Sequence, residues 1–136
     1  MQSADLPVVS AITAGILIIG QMALMFAVAR VRGSVRQSLG DGGDSRLLRA
    51  IRRHGNYEEN AAIFIIGLAL LEMMGAIRLF VIGLAAVFIA GRIAHAIGLS
   101  MEKTANPLRV AGVIATIGVG VALGVRLVLL GVGHFH

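Results

Sequence analysis

The sequence predicts an all-α integral membrane protein, organised as a bundle of four transmembrane helices. Of its 136 residues, 57% are hydrophobic and only 14% are charged, and the mean hydropathy is +0.90. A soluble domain of this size carries a larger charged fraction and a smaller apolar one. The length accommodates about four spans of roughly 20 apolar residues each. We therefore expect a single membrane domain, residues 1–136, with no room for a second one.

The four spans are expected at residues 6–29, 46–74, 79–99 and 107–131. The first stretch contains no charged residue and is about 36 Å long as a helix, which is enough to cross the hydrocarbon core. Asp5 precedes it, where a signal peptide would carry basic residues, so this stretch is interpreted as a span. Pro107 suits the first turn of the fourth span.

The second span has to carry charged residues with it. The charge-free run that follows Glu59 covers only residues 60–71, which is about 18 Å as a helix and too short to cross. The helix is therefore expected to begin near Ser45, where Asp44 and Ser45 suit an N-cap, and to end near Gly75.

Basic residues concentrate at two of the three connections. The first connection and its flanks hold Arg30, Arg32, Arg36, Arg46, Arg49, Arg52 and Arg53, and the third holds Arg92, Lys103 and Arg109. Only Arg78 and Arg126 lie at the other side. The positive-inside rule then places both basic connections in the cytoplasm and both termini on the opposite side.

The net charge of +5 is thus concentrated on one membrane face, where it meets anionic lipid. For Arg36 and Arg53 we take this contact, together with the setting of topology, as their role. Nucleic acid is a poor partner, because the arginines are interleaved with apolar helix instead of covering a soluble face.

The chain contains no cysteine, so it has neither a disulfide, nor a thiolate metal site, nor a cysteine nucleophile of its own. Any thiol chemistry must come from a bound thiol. His134 and His136 are two residues apart near the end of the chain and are interpreted as a solvated tail, because two ligands make no closed metal site. No metal is expected.

Four polar residues form one stripe along the second helix. At about 100° per residue, their side chains fall within an arc of about 80°. We call this set the polar stripe, and it consists of Arg49, Arg52, Asn56 and Glu59. Glu58 and His54 lie off the stripe. Two guanidinium groups, an amide and a carboxylate suit a small zwitterion with more than one carboxylate, because arginine binds carboxylates bidentately and glutamate accepts an ammonium group.

A structural role is the alternative for these groups, with charges that neutralise one another and tie helices together, as in an ion pair of Glu59 with Arg92. The charge balance favours an anionic ligand instead. Glu59 alone would have to neutralise five arginines near the apolar segments, and four charges would stay unpaired; the five are Arg49, Arg52, Arg92, Arg109 and Arg126.

Three motifs in order resemble the MAPEG family, the membrane-associated proteins in eicosanoid and glutathione metabolism. They are Arg52-x-x-x-Asn56-x-x-Glu59 on the second helix, Gly91-Arg-Ile-Ala-His95 on the third, and Pro107-x-Arg109 at the start of the fourth. The resemblance extends over nearly the whole chain and includes the pair Arg30-x-Arg32 at the end of the first helix.

The resemblance implies a four-helix protomer that forms a homotrimer and binds glutathione between neighbouring protomers on the cytoplasmic side. The positions that match glutathione contacts of the family are Arg49, Arg52, Asn56, Glu59 and His95, with Arg30 and Arg92 as further candidate contacts. Arg109 falls at the arginine that faces the glutathione sulfur, where its permanent charge would lower the thiol pKa. His95 is expected to bind, with acid–base catalysis as an alternative.

Three departures from the family pattern bear on activity. Leu99 stands where many members have a tyrosine, Val110 where some have a serine, and Gly55 where prostaglandin-synthase-like members have an arginine. We therefore expect glutathione transferase or peroxidase chemistry on a lipophilic electrophile or lipid hydroperoxide, in place of an eicosanoid-specific activity.

Two other classes of function stay open. The first is a glutathione-binding or structural membrane protein without turnover. The second is a small four-span exporter of lipophilic cations, which would need an acidic residue in its first span, where this chain offers only Gln21 as a long polar side chain. Gly120-x-x-x-Gly124 on the fourth helix permits close helix contact, although it does not by itself establish an oligomer.

Overall fold

The computed structural model describes residues 6–101 and 106–134, and every regular element in these residues is an α-helix. The helices are α1 (Val8–Val35), α2 (Ser45–Glu58), α3 (Ala61–Met73), α4 (Arg78–Ser100) and α5 (Pro107–Gly133). Three of them, α1, α4 and α5, are long and apolar enough to cross a membrane. The predicted all-α class is therefore confirmed, and three of the four predicted spans correspond to helices that are long and apolar enough to cross a membrane. Asp5, Lys103 and His136, which the sequence predictions use, lie outside the described residues.

The region predicted as one second helix contains two. Helix α2 ends at Glu58 and α3 begins at Ala61, and the residues between them form a turn. On either side of this break, Glu59 N donates to Gly55 O at 3.1 Å and Phe64 N donates to Asn60 O at 3.1 Å. The 13 residues of α3 are about 20 Å long, shorter than the hydrocarbon core. The polar and apolar parts of the predicted span are thus separate helices.

Helix α2 begins at Ser45 because Asp44 caps it. The Asp44 carboxylate accepts hydrogen bonds from the backbone N–H groups of Arg46 at 2.8 Å and Leu47 at 3.2 Å. The Arg46 guanidinium also pairs with this carboxylate at 2.8 Å. That side-chain hydrogen bond, followed by the Leu47 N–H, lowers the pKa of Asp44 to about 2, so the cap stays charged at physiological pH.

The other predicted helix ends have equally local causes. Helix α5 begins at Pro107, as predicted, and the Asn106 side chain caps it by accepting from Leu108 N at 2.8 Å. Gly75 follows α3 with φ of 74°, a left-handed conformation that glycine adopts without a Cβ clash.

Arg32 orders the connection between α1 and α2. Its Nη1 atom lies within hydrogen-bond distance of three backbone carbonyl oxygens, those of Gln37 at 3.3 Å, Ser38 at 3.2 Å and Gly40 at 2.9 Å. Carbonyl groups that no helix or sheet uses need such partners. One member of the Arg30-x-Arg32 pair therefore acts on the chain itself.

Helix α4 lies at the centre of the protomer. Of its apolar stretch 39% is buried, against 11% for α1 and for α5. Phe88 of α4 stacks on Phe64 of α3 with ring centroids 3.8 Å apart, and Leu68, Leu71 and Val81 are fully buried around them. This core holds α3 against α4 in spite of the short length of α3.

Glycines bring α4 and α5 into close contact. A Cβ on Gly112 would lie 2.6 Å from Gly91 O and 2.9 Å from His95 N, and a Cβ on Gly98 would lie 2.8 Å from Arg109 N. The two backbones can approach this closely only because these positions lack a side chain.

The Gly120-x-x-x-Gly124 pair has no such role within the protomer. A Cβ at either position would have no atom within 4 Å. The glycine pair that the sequence spacing identifies therefore makes no close helix contact within the described part of the protomer.

Candidate functional site

The polar stripe lies on the outer face of α2. Arg52 and Glu59 are exposed, and Arg49 and Asn56 are half-buried. The inner face of the helix is apolar and buried, and its buried residues are Leu47, Ala50 and Tyr57. Because burial follows the 3.6-residue period, one face of α2 packs against the protomer and the stripe is directed away from it.

Most of the stripe is unengaged by the rest of the protomer. Within residues 6–101 and 106–134, no hydrogen bond or ion pair involves the side chains of Arg49, Arg52 or Glu59. Asn56 donates from Nδ2 to Arg52 O at 2.9 Å, a contact within α2. The stripe thus presents two guanidinium groups and a carboxylate with their bonding capacity available.

Arg92 is engaged in the opposite way. Its side chain is 4% exposed, and Nη1 donates to Asn56 O at 2.5 Å while Nη2 donates to Thr116 Oγ1 at 2.8 Å. The guanidinium also lies 5.8 Å from the centroid of the Phe88 ring, a cation–π distance. One buried arginine therefore ties α2 and α5 to α4.

Arg92 also contacts the backbone at the end of α2. The Asn56 carbonyl would ordinarily accept from the backbone N–H of Asn60, four residues on, but it accepts from Arg92 instead. A buried guanidinium needs acceptors, and a helix C-terminus supplies free carbonyls with partial negative charge. The arginine and the helix end thus stabilise each other.

The alternative in which Glu59 neutralises Arg92 by a direct ion pair is not found. In the described part of the chain, Arg46 with Asp44 is the one ion pair within 4 Å. Glu59 is exposed, and its charge acts on Arg92 only from a longer distance. The carboxylate of Glu59 is therefore available to another partner.

His95 and Arg109 meet where α4 and α5 are closest. His95 is buried, and its Nδ1 atom lies 3.2 Å from Arg109 O, so the ring holds the backbone of the first turn of α5. The charges of Arg92, Arg109 and Glu59 lie close enough to act on the His95 imidazole. Three elements distant in sequence, α2, α4 and α5, thereby bring four of the predicted residues into one region.

Arg30 is the exception among the predicted residues. It is exposed near the end of α1, and the shallow pocket beside it is lined by residues of α1 alone, namely Ala27, Arg30, Val31 and Ser34. No described contact joins it to the polar stripe. A single protomer does not assemble all the predicted residues.

Comparison with known sequences shows the family of this chain. The MAPEG family model matches residues 10–129. The chain belongs to the MAPEG family. Two similar relatives are the inner membrane protein YecN of Escherichia coli K12 and its counterpart in E. coli O6:H1. Each is 40% identical over 90 residues, which covers 66% of this chain and 69% of the relative. With its three apolar helices, the MAPEG protein is an integral membrane protein.

Of the three predicted departures from the family pattern, Gly55 leaves open space on α2. Gly55 is half-buried, and a Cβ there would have no atom within 4 Å. Leu99 is half-buried and Val110 is exposed, so neither apolar side chain belongs to the core of this MAPEG protein.

The sequence predictions missed a polar cluster between α1 and α2. Gln21 of α1 contacts two α2 residues, His54 with 2.8 Å between the Nε2 atoms, and Glu58 through a hydrogen bond to Oε2. These contacts fix the rotation of α2, with one polar face toward α1 and the stripe away from it. The sequence could have predicted this cluster, because His54 and Glu58 are four residues apart and Gln21 is alone in an apolar span.

An apolar groove of 420 Å³ lies between α3 and α5, close to Arg92. Its polar residues are Asn60, at the break after α2, and Thr116, the partner of Arg92; Gly120 and Gly124 line its wall. The MAPEG protein therefore presents an open apolar surface next to its charged region.

Proposed function

We propose that this protein is a glutathione-dependent membrane transferase or peroxidase that acts on a lipophilic electrophile or a lipid hydroperoxide. One observation carries the proposal. Arg49, Arg52 and Glu59 have no partner among the described side chains, although they belong to a protein embedded in a bilayer. Charged groups next to apolar segments are costly unless they are paired, so these residues call for an anionic, zwitterionic partner.

Glutathione matches the donors and acceptors of the stripe. It carries two carboxylates, an ammonium group and a thiol. Arg49 and Arg52 supply planar forks for carboxylates, Asn56 supplies an amide, and Glu59 supplies an acceptor for ammonium. Nη1 and Nη2 of Arg92 are bonded within the protomer, whereas its buried Nε has no partner among the described residues. We therefore assign Arg92 the placement of Asn56 as its first role and keep it as a further candidate contact of glutathione.

A second copy of the chain completes the site in this proposal. The stripe is directed away from its own protomer, and Arg30 is exposed on α1 without a described contact to it. Both features suit a homotrimer that binds glutathione between neighbouring protomers at the cytoplasmic side. The family resemblance of the motifs implies the same assembly.

Bound glutathione supplies the nucleophilic sulfur that a chain without cysteine lacks. Arg109 stabilises the thiolate, because a permanent positive charge lowers a thiol pKa from its usual value of about 8.5. His95 positions Arg109 through the contact of Nδ1 with the Arg109 carbonyl. The lipophilic substrate reaches the site from the bilayer. Acid–base catalysis by His95 is the alternative for this residue.

Two rival functions predict different behaviour. A glutathione-binding or structural protein without turnover keeps the fold and loses the chemistry. An exporter of lipophilic cations needs an acidic group in its first span, and the one long polar side chain of residues 6–29, Gln21, is instead bonded to His54 and Glu58.

Calorimetric titration of the purified protein with glutathione tests the proposal. We expect saturable binding in the wild type, and about thirtyfold weaker binding or worse in Arg52→Ala and in Glu59→Ala, because loss of one charged contact costs about 2–5 kcal/mol. Arg46→Ala is the matched control on the same helix. Its side chain pairs with Asp44 on the surface, so its loss should leave glutathione affinity unchanged.

Size-exclusion chromatography of the same variants separates binding from assembly. The proposal requires Arg52→Ala and Glu59→Ala to keep the oligomeric state of the wild type. Unchanged affinity in both variants would remove the stripe from the binding site. Failure of both to assemble, with wild-type protein that does not bind glutathione, would favour the structural role.

A further inference from the structure

A second apolar groove lies on another side of the protomer, between α1 and α4. Its volume is 420 Å³, within the range of roughly 300–1,000 Å³ that is usual for small-molecule sites. Isoleucine, leucine, alanine and glycine residues line the walls, among them Ile19 of α1 and Ile93 and Ile97 of α4. Three polar residues line it as well, and all three carry hydrogen-bonding groups: Arg53, Tyr57 and Ser100.

Arg53 gives this groove a charge with unused hydrogen-bonding capacity. Its Nη1 donates to Ser100 Oγ at 2.7 Å, and that hydroxyl in turn donates to Ala96 O at 3.0 Å. The Nε atom of Arg53 is buried and has no partner among the described residues. A buried N–H without an acceptor is costly, and an anionic acceptor in the groove that Arg53 lines would reduce that cost.

The groove and the proposed glutathione site use opposite faces of α4. At about 100° per residue, the groove residues Ile93, Ala96 and Ile97 fall within an arc of about 100°. His95 and the close-contact glycines of α4 are centred about 180° away. A molecule in the groove is therefore separated from Arg109 by the helix itself and is not the reacting substrate.

We propose that this groove binds one anionic phospholipid of the surrounding bilayer, with its phosphate on Arg53, which Ser100 holds in place, and part of an acyl chain along Ile93 and Ile97. Charge complementarity selects the head group, because a guanidinium with free N–H donors binds phosphate oxygens in charge-assisted hydrogen bonds. The apolar walls select the chain. The bilayer supplies both parts in one molecule and in the required orientation.

The composition of the chain provides a direct probe. Tyr57 is the single tyrosine, tryptophan is absent, and Tyr57 lines the groove. Bromine atoms on an acyl chain quench the fluorescence of an aromatic side chain that they contact. The experiment records tyrosine emission from the protein in detergent micelles during titration with phosphatidylglycerol or phosphatidylcholine brominated on the acyl chain.

For the wild type, brominated phosphatidylglycerol should quench at about fivefold lower concentration than brominated phosphatidylcholine, the effect of one arginine on an anionic head group. Arg53→Gln should abolish this preference. Arg36→Gln, which removes an exposed arginine of the first connection, should keep it. Equal quenching by the two lipids in the wild type, or an unchanged preference in Arg53→Gln, overturns the assignment of the head group.

A second pair of variants tests the groove without changing charge. Ala96→Phe fills the groove with apolar volume and should weaken quenching by both brominated lipids. Ala86→Phe adds the same volume on the same side of α4, about 15 Å nearer its N-terminus and outside the groove, and should leave quenching unchanged. Wild-type quenching in Ala96→Phe shows that the acyl chain lies elsewhere and overturns the proposal. Glutathione titration is independent of both results.

Discussion

Arginine side chains in this protein differ most in what they contact. Arg92 is buried and contacts a carbonyl, a hydroxyl and an aromatic ring, while its Nε has no partner among the described residues. Arg53 is half-buried and its buried Nε has no partner among the described residues, and Arg52 is exposed. A guanidinium has five N–H donors and no deprotonated form at accessible pH, so each unsatisfied arginine near a bilayer demands an acceptor. These different contacts assign Arg92 a structural role, Arg53 a proposed lipid-binding role and Arg52 a proposed ligand-binding role.

Arg109 is the residue on which the proposed thiolate chemistry depends. If Arg109 stabilises the thiolate, Arg109→Ala should raise the pKa of bound glutathione and move the pH–rate profile upward, with a smaller loss of affinity than Arg52→Ala causes. Arg109→Lys keeps the charge without the planar fork and should recover part of the thiolate and less of the rate. Thiolate absorbance of the glutathione complex against pH measures the shift. The same titration midpoint in wild type and Arg109→Ala would exclude Arg109 from the chemistry.

Among the elements, α2 and α3 are a polar and an apolar helix that follow each other across a short break. The break between them frees the Asn56 carbonyl, which Arg92 takes up. The Gln21 contacts with His54 and Glu58 then fix the rotation of α2 about its axis. With that rotation fixed, the polar stripe is directed outward while its inner face packs against the protomer.

The close contact of α4 with α5 depends on glycines, and adding a Cβ at one of them tests it. Gly112→Ala places a Cβ against backbone atoms of Gly91 and His95, so the helices must separate. We expect destabilisation of about 1–3 kcal/mol, seen as a lower thermal midpoint in detergent followed by circular dichroism. Gly120→Ala is the matched control on α5. Its Cβ meets no atom, and the better helix propensity of alanine should add about 0.5–1 kcal/mol of stability.

Opposite signs for the two variants would establish that α5 packs on α4 through Gly112. Equal midpoints would contradict the close contact. A loss in Gly120→Ala alone would indicate that Gly120 meets a neighbouring protomer, which would support the proposed trimer.

For the molecule as a whole, the distribution of arginine predicts its orientation in the membrane. The first connection is basic and should face the cytoplasm, and the end of α5 should face the opposite side. Because the chain has no cysteine, Ser38→Cys and His134→Cys each introduce a unique label site at an exposed residue. A membrane-impermeant maleimide should label Ser38→Cys only in inside-out vesicles and His134→Cys only in right-side-out ones. The reverse pattern would place the polar stripe on the outer side and contradict a cytoplasmic glutathione site.

The sequence by itself determined the features that depend on near neighbours in the chain. Composition predicted the membrane class, Asp44, Gly75 and Pro107 predicted helix ends, and the helical period predicted the polar stripe. Hydropathy, capping and periodicity act within a few residues, so one chain segment contains the information.

Only the tertiary structure decided which polar groups satisfy each other. Arg92 and Asn56 are 36 residues apart, and Gln21 and His54 are 33 apart. The family resemblance placed Arg92 among the further candidate ligand contacts, yet its acceptors in the structure lie on two other helices. A buried polar group bonds to whichever acceptor the packed helices bring within about 3 Å, and no local period encodes that distance.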